Sequence, residues 1–266
     1  MKATSGDLPH GEGWGYEVKW DGMRALAFVE DGAVRVQSYN ERDVTASWPE
    51  LAGLADAVPA STALLDGEIV ATDEAGRPSF GRLQQRMHLS KPTEVAARAA
   101  EVPITYVVFD LLHLDGHDLM PLPLLDRRRL LDELLEPGPC WQRSPLHDDG
   151  QALLDAATTQ GLEGVVAKRL DSVYEPGKRV RTWLKVKVRS EQELVVGGWL
   201  PGEGNRSGRI GALLVGYHDR AGDGGPLRFA GRVGTGFTDA ELRRLEGLLG
   251  PLASDECPFE PPQPRS

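Results

Sequence analysis

The feature that most constrains this 266-residue chain is a set of carboxylates inside runs that otherwise have the composition of buried β-strands. The run Thr62–Ala71 is apolar except around Asp66-Gly67-Glu68, and Glu163 stands at the start of the apolar run Gly164-Val165-Val166-Ala167. A buried carboxylate is costly unless it is paired, hydrogen-bonded or bound to a ligand. Glu68 and Glu163 are therefore candidate contacts for a hydroxyl group or a metal ion. A turn that ends the strand and exposes Glu68 is the alternative.

A lysine occupies a similar position in Glu17-Val18-Lys19-Trp20-Asp21-Gly22-Met23-Arg24, where it precedes an Asp-Gly turn and an arginine. A lysine is protonated at neutral pH unless its surroundings disfavour the charge. Partial desolvation against Val18 and Trp20, together with nearby cations, is expected to favour the neutral amine of Lys19, whose lone pair can attack an electrophile. A strand lysine that snorkels to the surface beside a hairpin is the alternative.

A third segment, Trp183-Leu184-Lys185-Val186-Lys187, alternates so that both lysines face one side of a strand. Two ammonium groups placed in this way could clamp a phosphate. The surrounding stretch 176–190 contains six cations and no carboxylate, namely Lys178, Arg179, Arg181, Lys185, Lys187 and Arg189. Because the whole chain carries a net charge of -10, this stretch predicts a phosphate-facing strip on an acidic protein. A solvated basic face is the alternative.

Hydrophobic periodicity and turn residues predict alternating strands and helices as far as residue 188. Strands are predicted at 16–20, 24–30, 33–38, 62–71, 104–114, 140–143, 163–168 and 183–187, and helices at 48–57, 80–87, 126–135 and 148–160. In the most hydrophobic strand, Phe109 is either a core residue or a stacking platform.

Beyond residue 188 the composition changes to short strands separated by glycine-rich turns, which is typical of a small barrel such as an OB-like fold. These strands are predicted at 194–200, 210–218 and 227–233, with a helix at 239–249. The proline-rich stretch 251–266 predicts a linker or tail.

Two classes of protein are disfavoured by composition. Cys140 and Cys257 belong to no paired cysteine motif, so neither a disulfide framework nor a zinc site is indicated. No apolar run reaches the roughly 18 residues that cross a bilayer, and the first ten residues lack the apolar core of a signal peptide. A protein without membrane association and with a cytoplasmic location is expected.

Five segments in this order resemble the ATP-dependent DNA ligases of the covalent nucleotidyltransferase superfamily, and most of all the bacterial end-joining ligases. The segments lie at 19–24, 66–68, 106–110, 163–168 and 183–187 and cover nearly the whole chain. The resemblance implies an α+β fold with a nucleotidyltransferase (ATP-grasp-like ligase) domain at 1–188, built of antiparallel sheets with flanking helices. An OB-fold-like β-barrel at 189–266, incomplete, is expected to follow.

The mechanism that this resemblance implies has three steps. Lys19 would attack the α-phosphate of ATP, expel pyrophosphate and carry AMP as a lysyl phosphoramide. AMP would pass to the 5′-phosphate of a DNA nick, and the 3′-hydroxyl would then displace it and seal the strand. The implied cofactors are ATP and Mg²⁺ or Mn²⁺. The implied partners are nicked double-stranded DNA and other end-joining repair proteins, for a protein that acts as a monomer.

The resemblance also assigns roles to individual side chains at the nucleotide. Phe109 would stack on adenine, and Lys185 and Lys187 would hold the α-phosphate. Arg24 would contact the ribose or the nick phosphate, and Glu17 is also expected at the nucleotide. Glu68 would contact the ribose or a metal ion, and Glu163 would bind metal. Candidate phosphate or DNA contacts are Arg42, Lys168, Lys178, Arg179 and Arg181.

The chain departs from the family pattern in two places. Ser38-Tyr39-Asn40 stands where the family usually has Ser-Arg-Asn, so an expected phosphate-contacting arginine is missing, and Arg42 could replace it only if the loop turns it inward. The family also continues past the position of Ser266 into a final strand with a basic motif that assists pyrophosphate departure. We expect either a sequence that has been cut or a naturally shortened protein with impaired self-adenylylation.

Two other functions remain open at this point. An RNA ligase or RNA guanylyltransferase of the same superfamily would share the motifs but use an RNA acceptor, whereas the Trp-Asp-Gly form of the first motif favours DNA. A nick-binding module without turnover would keep the fold but not complete the reaction.

Overall fold

The computed structural model describes residues 1–188, 193–218 and 225–261. The chain divides into two compact units, Met1–Arg189 and Ser190–Ser266. Within the described ranges, no helix is long and apolar enough to cross a membrane.

The N-terminal unit is built from two sheets and short helices. Its strands are β1 (Lys2–Ser5), β2 (Trp14–Val18), β3 (Met23–Glu30), β4 (Ala33–Ser38), β5 (Thr62–Ala71), β6 (Ile104–Leu114), β7 (His117–Asp118), β8 (Trp141–Arg143), β9 (Gly164–Arg169) and β10 (Arg179–Lys187). Its helices are α1 (Leu54–Ala57), α2 (Phe80–Gln84), α3 (Pro92–Glu101), α4 (Leu124–Leu134) and α5 (Gly150–Gln160), with 3-10 helices at Thr45–Ser47 and Pro49–Gly53.

The larger sheet has the order β4-β3-β5-β6-β7, and β8 pairs with β6. All its pairs are antiparallel except β6 with β8. Period-two alternation sends Ala25, Ala27 and Val29 of β3 into a core that also contains Trp48, Leu51 and Leu83 from the helical side. The residues of β3 that alternate with them, including Arg24, consequently point toward the opposite face of the sheet.

Strand β5 continues without interruption through Asp66-Gly67-Glu68, where Leu26 pairs with Asp66 and Arg24 with Glu68. The alternative interpretation, a turn that ends the strand at this point, is therefore wrong.

The second sheet has the order β1-β10-β9-β2, with β1 parallel to β10 and the other pairs antiparallel. One face packs Tyr16, Val165 and Ala167 against Leu153 and Ala157 of α5. On the opposite face, Trp183 and Val180 pack in one cluster with Phe109 and Leu112 of the larger sheet. Polar residues of β2, β9 and β10 that alternate with the α5-facing set therefore lie between the two sheets.

The C-terminal unit contains three antiparallel strands among its described residues, β11 (Val195–Pro201), β12 (Ile210–His218) and β13 (Leu227–Val233). Helix α6 (Asp239–Leu249) follows and begins with a capping box between Thr238 and Glu241. Leu242 of α6 packs in one cluster with Ile210, Leu213 and Val215 of β12. These strands are consistent with an OB-like fold.

The α+β class with antiparallel sheets and flanking helices is confirmed. The single helix predicted at 48–57 is wrong, because Pro49 and Gly53 bound a 3-10 helix and only Leu54–Ala57 is α-helical. The helix predicted at 80–87 ends at Gln84. Strand β1 and helix α3 were not predicted.

The proline-rich stretch after α6 is not a free tail over its described part. Phe259 is buried, with its ring centroid 5.4 Å from that of Phe229 in an edge-to-face arrangement, and it forms a bridge with Leu227. Residues 262–266 lie outside the described residues, and so does Arg189 of the predicted basic strip.

Two fully buried carboxylates stand opposite each other in the central strands, Asp66 on β5 and Asp110 on β6. Arg24 donates to Asp66 at 2.6 and 3.0 Å, and Arg127 of α4 donates to Asp110 at 2.7 and 2.8 Å. Burial raises the pKa of Asp110, and the hydrogen bonds from Arg127 oppose that rise. Each buried carboxylate thus accepts two hydrogen bonds from one guanidinium, which offsets the desolvation cost of its charge.

Asp110→Ala should lower the free energy of unfolding by about 3 to 5 kcal/mol, because it leaves the buried Arg127 without its carboxylate. Urea unfolding measures this change. Glu101→Ala, which removes the partner of Arg98 in an exposed pair at 2.6 Å, is the matched control and should cost no more than about 1 kcal/mol. Equal losses in the two variants would contradict the assignment.

Candidate active site

Lys19 directly follows β2 at the edge of the space between the two sheets. Its backbone N–H donates to the carbonyl of Gly164 at 2.8 Å, which ties the residue to the start of β9. Its ammonium forms an ion pair with the carboxylate of Glu163, and the two side chains are 19% and 24% exposed. The sequence predicted cations as the neighbours of this amine. The structure corrects that expectation, since the immediate partner of Lys19 is a carboxylate.

Two glycines near these residues, Gly22 and Gly164, let neighbouring strands pass close to the site. A Cβ on Gly22 would lie 2.2 Å from the carbonyl oxygen of Ile69 in β5, and one on Gly164 would lie 2.1 Å from the carbonyl oxygen of Val186 in β10. Gly164 also has φ of +147°, which side chains rarely adopt. Both positions exclude a side chain because a neighbouring strand passes too close.

Glu163 joins Lys19 to the basic strand β10. Lys187 forms a second ion pair with Glu163 at 2.9 Å. Burial works against charge on this carboxylate, but the hydrogen bonds from Lys19 and Lys187 hold the pKa of Glu163 below its usual value. Lys185 lies two residues before Lys187 and shares its face of β10, as the alternation predicted. Lys19, Glu163 and Lys187 are thus brought together, with Lys185 on the same sheet face.

Glu68 lies on β5 beneath the Asp21-Gly22 turn, with its Cγ 3.0 Å from where a Cβ of Gly22 would be. Burial raises the pKa of Glu68 to about 8, although the charges of Arg24 and Lys19 favour the carboxylate. Burial thus favours the protonated form of this acid in the free protein.

Lys168 and Glu17 form a buried ion pair at 2.8 Å, and each residue is only 2% exposed. The ammonium lies 4.4 Å from the ring centroid of Phe109 and 4.3 Å from the ring of Trp183. Burial lowers the pKa of Lys168. The prediction of Lys168 as a phosphate or DNA contact is therefore wrong for DNA, which cannot reach a side chain enclosed between two sheets. Glu17, which was predicted at the nucleotide, has its carboxylate engaged in this ion pair with Lys168.

Arg24 is held on the larger sheet by several acceptors. Besides Asp66, it donates to the hydroxyl of Tyr174 at 3.2 Å and to the carbonyl of Met1 at 2.5 Å. Its guanidinium lies 5.4 Å from the ring centroid of Phe109. Phe109 is 9% exposed and packs edge-on against Trp183, so it belongs to the core cluster and also borders the site.

A cavity of about 670 Å³ extends from Arg24 and Asp66 to the loop of Tyr39 and Asn40. Its floor is apolar, with Leu26, Leu64, Leu112 and Met120. Lys19 is not among the described residues that line it. This cavity therefore adjoins the Arg24 side of the site and not the amine.

The remaining predicted contacts are spread over the surface of the N-terminal unit. Lys178 is exposed and pairs with Glu175 at 2.7 Å, whereas Arg179 donates to the carbonyl of Ala3 at 2.8 Å. Arg181 is exposed. Arg42 lies exposed in the loop after β4, so the loop does not bury its side chain. Their role at DNA stays a prediction.

Sequence reasoning missed Asp66, Asp110, Arg127 and Tyr174, which pair or orient the charged groups near the site. The signal for the two acids was present, because an aspartate in an apolar strand needs a partner. The partners themselves could not be found, since Arg127 and Tyr174 come from α4 and from the segment between β9 and β10.

The acids at the site do not form a metal centre by themselves. Across the described ranges, no group of three or more His, Cys, Asp or Glu side chains is gathered. Glu163 contacts Lys19, and Glu68 lies close enough for its charge to interact with Lys19. Mg²⁺ often takes one or two carboxylates and completes its coordination with phosphate and water. The two acids therefore fit a cation that is also coordinated by a nucleotide.

The sequence matches the family described as "ATP dependent DNA ligase domain" over residues 5–187. A second match, to the family described as "ATP dependent DNA ligase C terminal region", covers residues 206–266. The first match alone extends over more than half of the chain.

Relatives of known name carry similar sequences. The chain is 39% identical over 267 residues to "Multifunctional non-homologous end joining protein LigD" of Mycolicibacterium smegmatis, which covers 100% of this chain and 33% of that protein. It is 37% identical over 251 residues to "DNA ligase" of Pyrobaculum calidifontis, covering 89% of this chain and 42% of that protein. The chain thus spans about a third of the length of the end-joining relative.

Solved structures show the same similarity in three dimensions. The ligase domain from M. tuberculosis LigD matches with a TM-score of 0.62 and 39% identity, covering 99% of this chain and 81% of that one. Mycobacterial DNA ligase D complexed with ATP and MES matches with a TM-score of 0.62 and 38% identity over the same shares. The similarity therefore includes both units of the chain.

Glu68→Gln should stabilise the protein more at pH 8 than at pH 5. The folded protein keeps Glu68 protonated at pH values where the unfolded chain has released that proton, so this residue makes folding less favourable as pH rises, by up to about 1.4 kcal/mol per pH unit. Glutamine removes the effect. Urea unfolding of both proteins at pH 5, 6.5 and 8 measures it. Glu94→Gln on exposed α3 is the control, and a difference that does not grow with pH would contradict the prediction.

Proposed function

The chain belongs to the family of ATP-dependent DNA ligases, and from this we propose that it seals 5′-phosphate/3′-hydroxyl nicks in DNA through an AMP carried on Lys19. The observation that carries the proposal is the partly exposed Lys19 amine, held by Glu163 next to Lys187 and close to Glu68. A lysyl-AMP intermediate is typical of this family.

In the first step, Nζ of Lys19 forms a bond to the α-phosphorus of ATP while the bond from that phosphorus to pyrophosphate breaks. The amine must leave its ion pair with Glu163 and lose a proton before it can attack. Lys187 shares Glu163 with Lys19 and is 59% exposed, so it can turn from the carboxylate to a phosphate. We assign Lys185 and Lys187 to the α-phosphate, where they would offset charge that develops in the transition state.

Adenine would bind beside Phe109, at the edge of the space between the two sheets. The ring of Phe109 is already backed by the Lys168 ammonium and the edge of Trp183, which fix its position. The buried Glu17–Lys168 pair would form the floor of this base site. Glu17 would thus contribute through the pair and not as an isolated carboxylate.

Mg²⁺ or Mn²⁺ would be held by Glu68 and Glu163 together with the phosphates of ATP. A divalent cation at this place supplies positive charge against the phosphates. Glu163 pairs with Lys19 and Lys187 in the free protein, so it would hold a cation only after these two ion pairs open.

In the later steps AMP moves to the 5′-phosphate of the nick, and the 3′-hydroxyl attacks that phosphorus with AMP as leaving group. We assign Arg24 to the ribose or the nick phosphate. Arg42, Lys178, Arg179 and Arg181 would contact the DNA backbone, since basic side chains supply most non-specific DNA affinity. Other end-joining proteins as partners, a monomeric state and a cytoplasmic location complete the proposal. The family matches favour DNA over RNA as acceptor.

Incubation with α-labelled ATP and magnesium should attach label to the protein through a bond that is labile in acid and stable in alkali. Lys19→Ala should reduce this label below detection, because a phosphoramide needs the amine. Lys91→Ala, at the exposed lysine that directly precedes α3, is the control and should label like the parent protein. Label that persists in Lys19→Ala would refute the assignment of the nucleophile.

A nick that already carries AMP should be sealed without ATP by the parent protein, since only the final displacement remains. Gel analysis of the joined strand measures it. A nick-binding module would retain the adenylylated DNA but leave it unjoined, and that result would overturn the proposed turnover. Sealing with ATP as sole donor would show in addition that the first step is intact.

A further inference from the structure

Tyr174 is a buried residue of the segment between β9 and β10 whose hydroxyl reaches the larger sheet. The hydroxyl donates to Oδ2 of Asp66 at 2.8 Å, and it accepts from the N-terminal ammonium of Met1 at 3.0 Å and from Nη2 of Arg24 at 3.2 Å. Nη2 of Arg24 also donates to the same Oδ2 at 2.6 Å. The three groups thus close a ring of hydrogen bonds across the two sheets.

The surroundings of Tyr174 hold its hydroxyl in place. Its ring packs edge-on against Trp183 at 6.2 Å, and the guanidinium of Arg127 lies 5.8 Å from the ring centroid. Burial and the charge of Asp66 raise the pKa of Tyr174, so the hydroxyl keeps its proton and can donate to Asp66. The side chain of Tyr174 is therefore held in one position, with its ring against Trp183 and its hydroxyl on the Arg24–Asp66 pair.

This contact limits the freedom of Arg24. Asp66 alone fixes the plane of the guanidinium through two hydrogen bonds, but its carboxylate could still rotate about the side chain. The Tyr174 hydroxyl, which donates to Oδ2 from the segment between β9 and β10, removes that rotation. The guanidinium is then held 5.4 Å from the Phe109 ring, with its side chain 22% exposed toward the site.

We infer that Tyr174 is a positioning residue for strand sealing, which acts by fixing the Arg24 guanidinium both directly and through Asp66. The inference rests on the proposed function, because it requires that Arg24 contact the substrate. A purely structural role would be the alternative, in which the hydroxyl only satisfies a buried carboxylate and the reaction does not depend on it.

The test compares two tyrosines that each lose one buried hydroxyl. Tyr106 is 0% exposed and donates to the carbonyls of Ala25 and Leu65, without contacting Arg24 or Asp66 through its hydroxyl. Sealing of a pre-adenylylated nick is measured under single turnover at saturating DNA, with thermal unfolding alongside. We expect Tyr174→Phe to slow sealing about 10-fold, a loss of about 1.4 kcal/mol. Tyr106→Phe should stay within about 2-fold of the parent protein even if it unfolds earlier.

A double-mutant cycle tests whether the effect passes through Arg24. Lysine cannot form the two-pronged contact with Asp66, so in an Arg24→Lys background Tyr174→Phe should change sealing by less than about 2-fold. A full 10-fold effect in that background would overturn the inference, and so would equal slowing by both tyrosine variants. Failure of the parent protein to seal would instead refute the proposed function itself, which separates the two outcomes.

Discussion

Pairing of charges withdrawn from water is the constraint on which the N-terminal unit depends. A carboxylate or ammonium between packed strands needs an opposite charge beside it. Without that partner, the desolvation cost of the charged group is not offset, and the folded state is strongly destabilised. The partners come from distant segments, so each pair also fixes how two parts of the chain pack. Such pairs include Arg24–Asp66, Arg127–Asp110, Lys168–Glu17 and Lys19–Glu163.

The pairs differ in how far they can exchange partners, and the difference follows burial. Lys168 and Glu17 are 3% exposed on each side chain, so a ligand cannot replace either partner without first opening the sheets. Lys19 and Glu163 are 19% and 24% exposed, and Lys187 reaches the same carboxylate from solvent. A nucleotide and its cation could substitute for these contacts one by one. The buried pair therefore supports the site, whereas the open pair is suited to chemistry.

Local patterns were enough to predict most strands, but not which charged residues meet. The strands at 33–38, 62–71 and 104–114 were predicted with the bounds observed, since apolar composition and Asp-Gly turns fix them locally. The partner of Lys19, Glu163, lies 144 residues away in the sequence. The nearby Arg24 suggested a cationic neighbour for Lys19, and no local signal pointed to this carboxylate instead. Lys168 was misplaced for a related reason: a lysine at the end of an apolar strand looks exposed until the second sheet is known to cover it.

Gly22, three residues after Lys19, and Gly164, next to Glu163, link the geometry of the candidate site to the packing of the strands. Gly22 brings the turn after Lys19 against the carbonyl of Ile69, next to Glu68 in β5, and Gly164 brings the segment of Glu163 against β10. The side chains of the candidate site lie close together because the backbones that carry them approach more closely than a Cβ at these glycines would permit. A residue with a Cβ at either position would push a neighbouring strand away and separate the acids from the amine. The glycines are thus needed for the spacing of the site, although they take no part in the reaction.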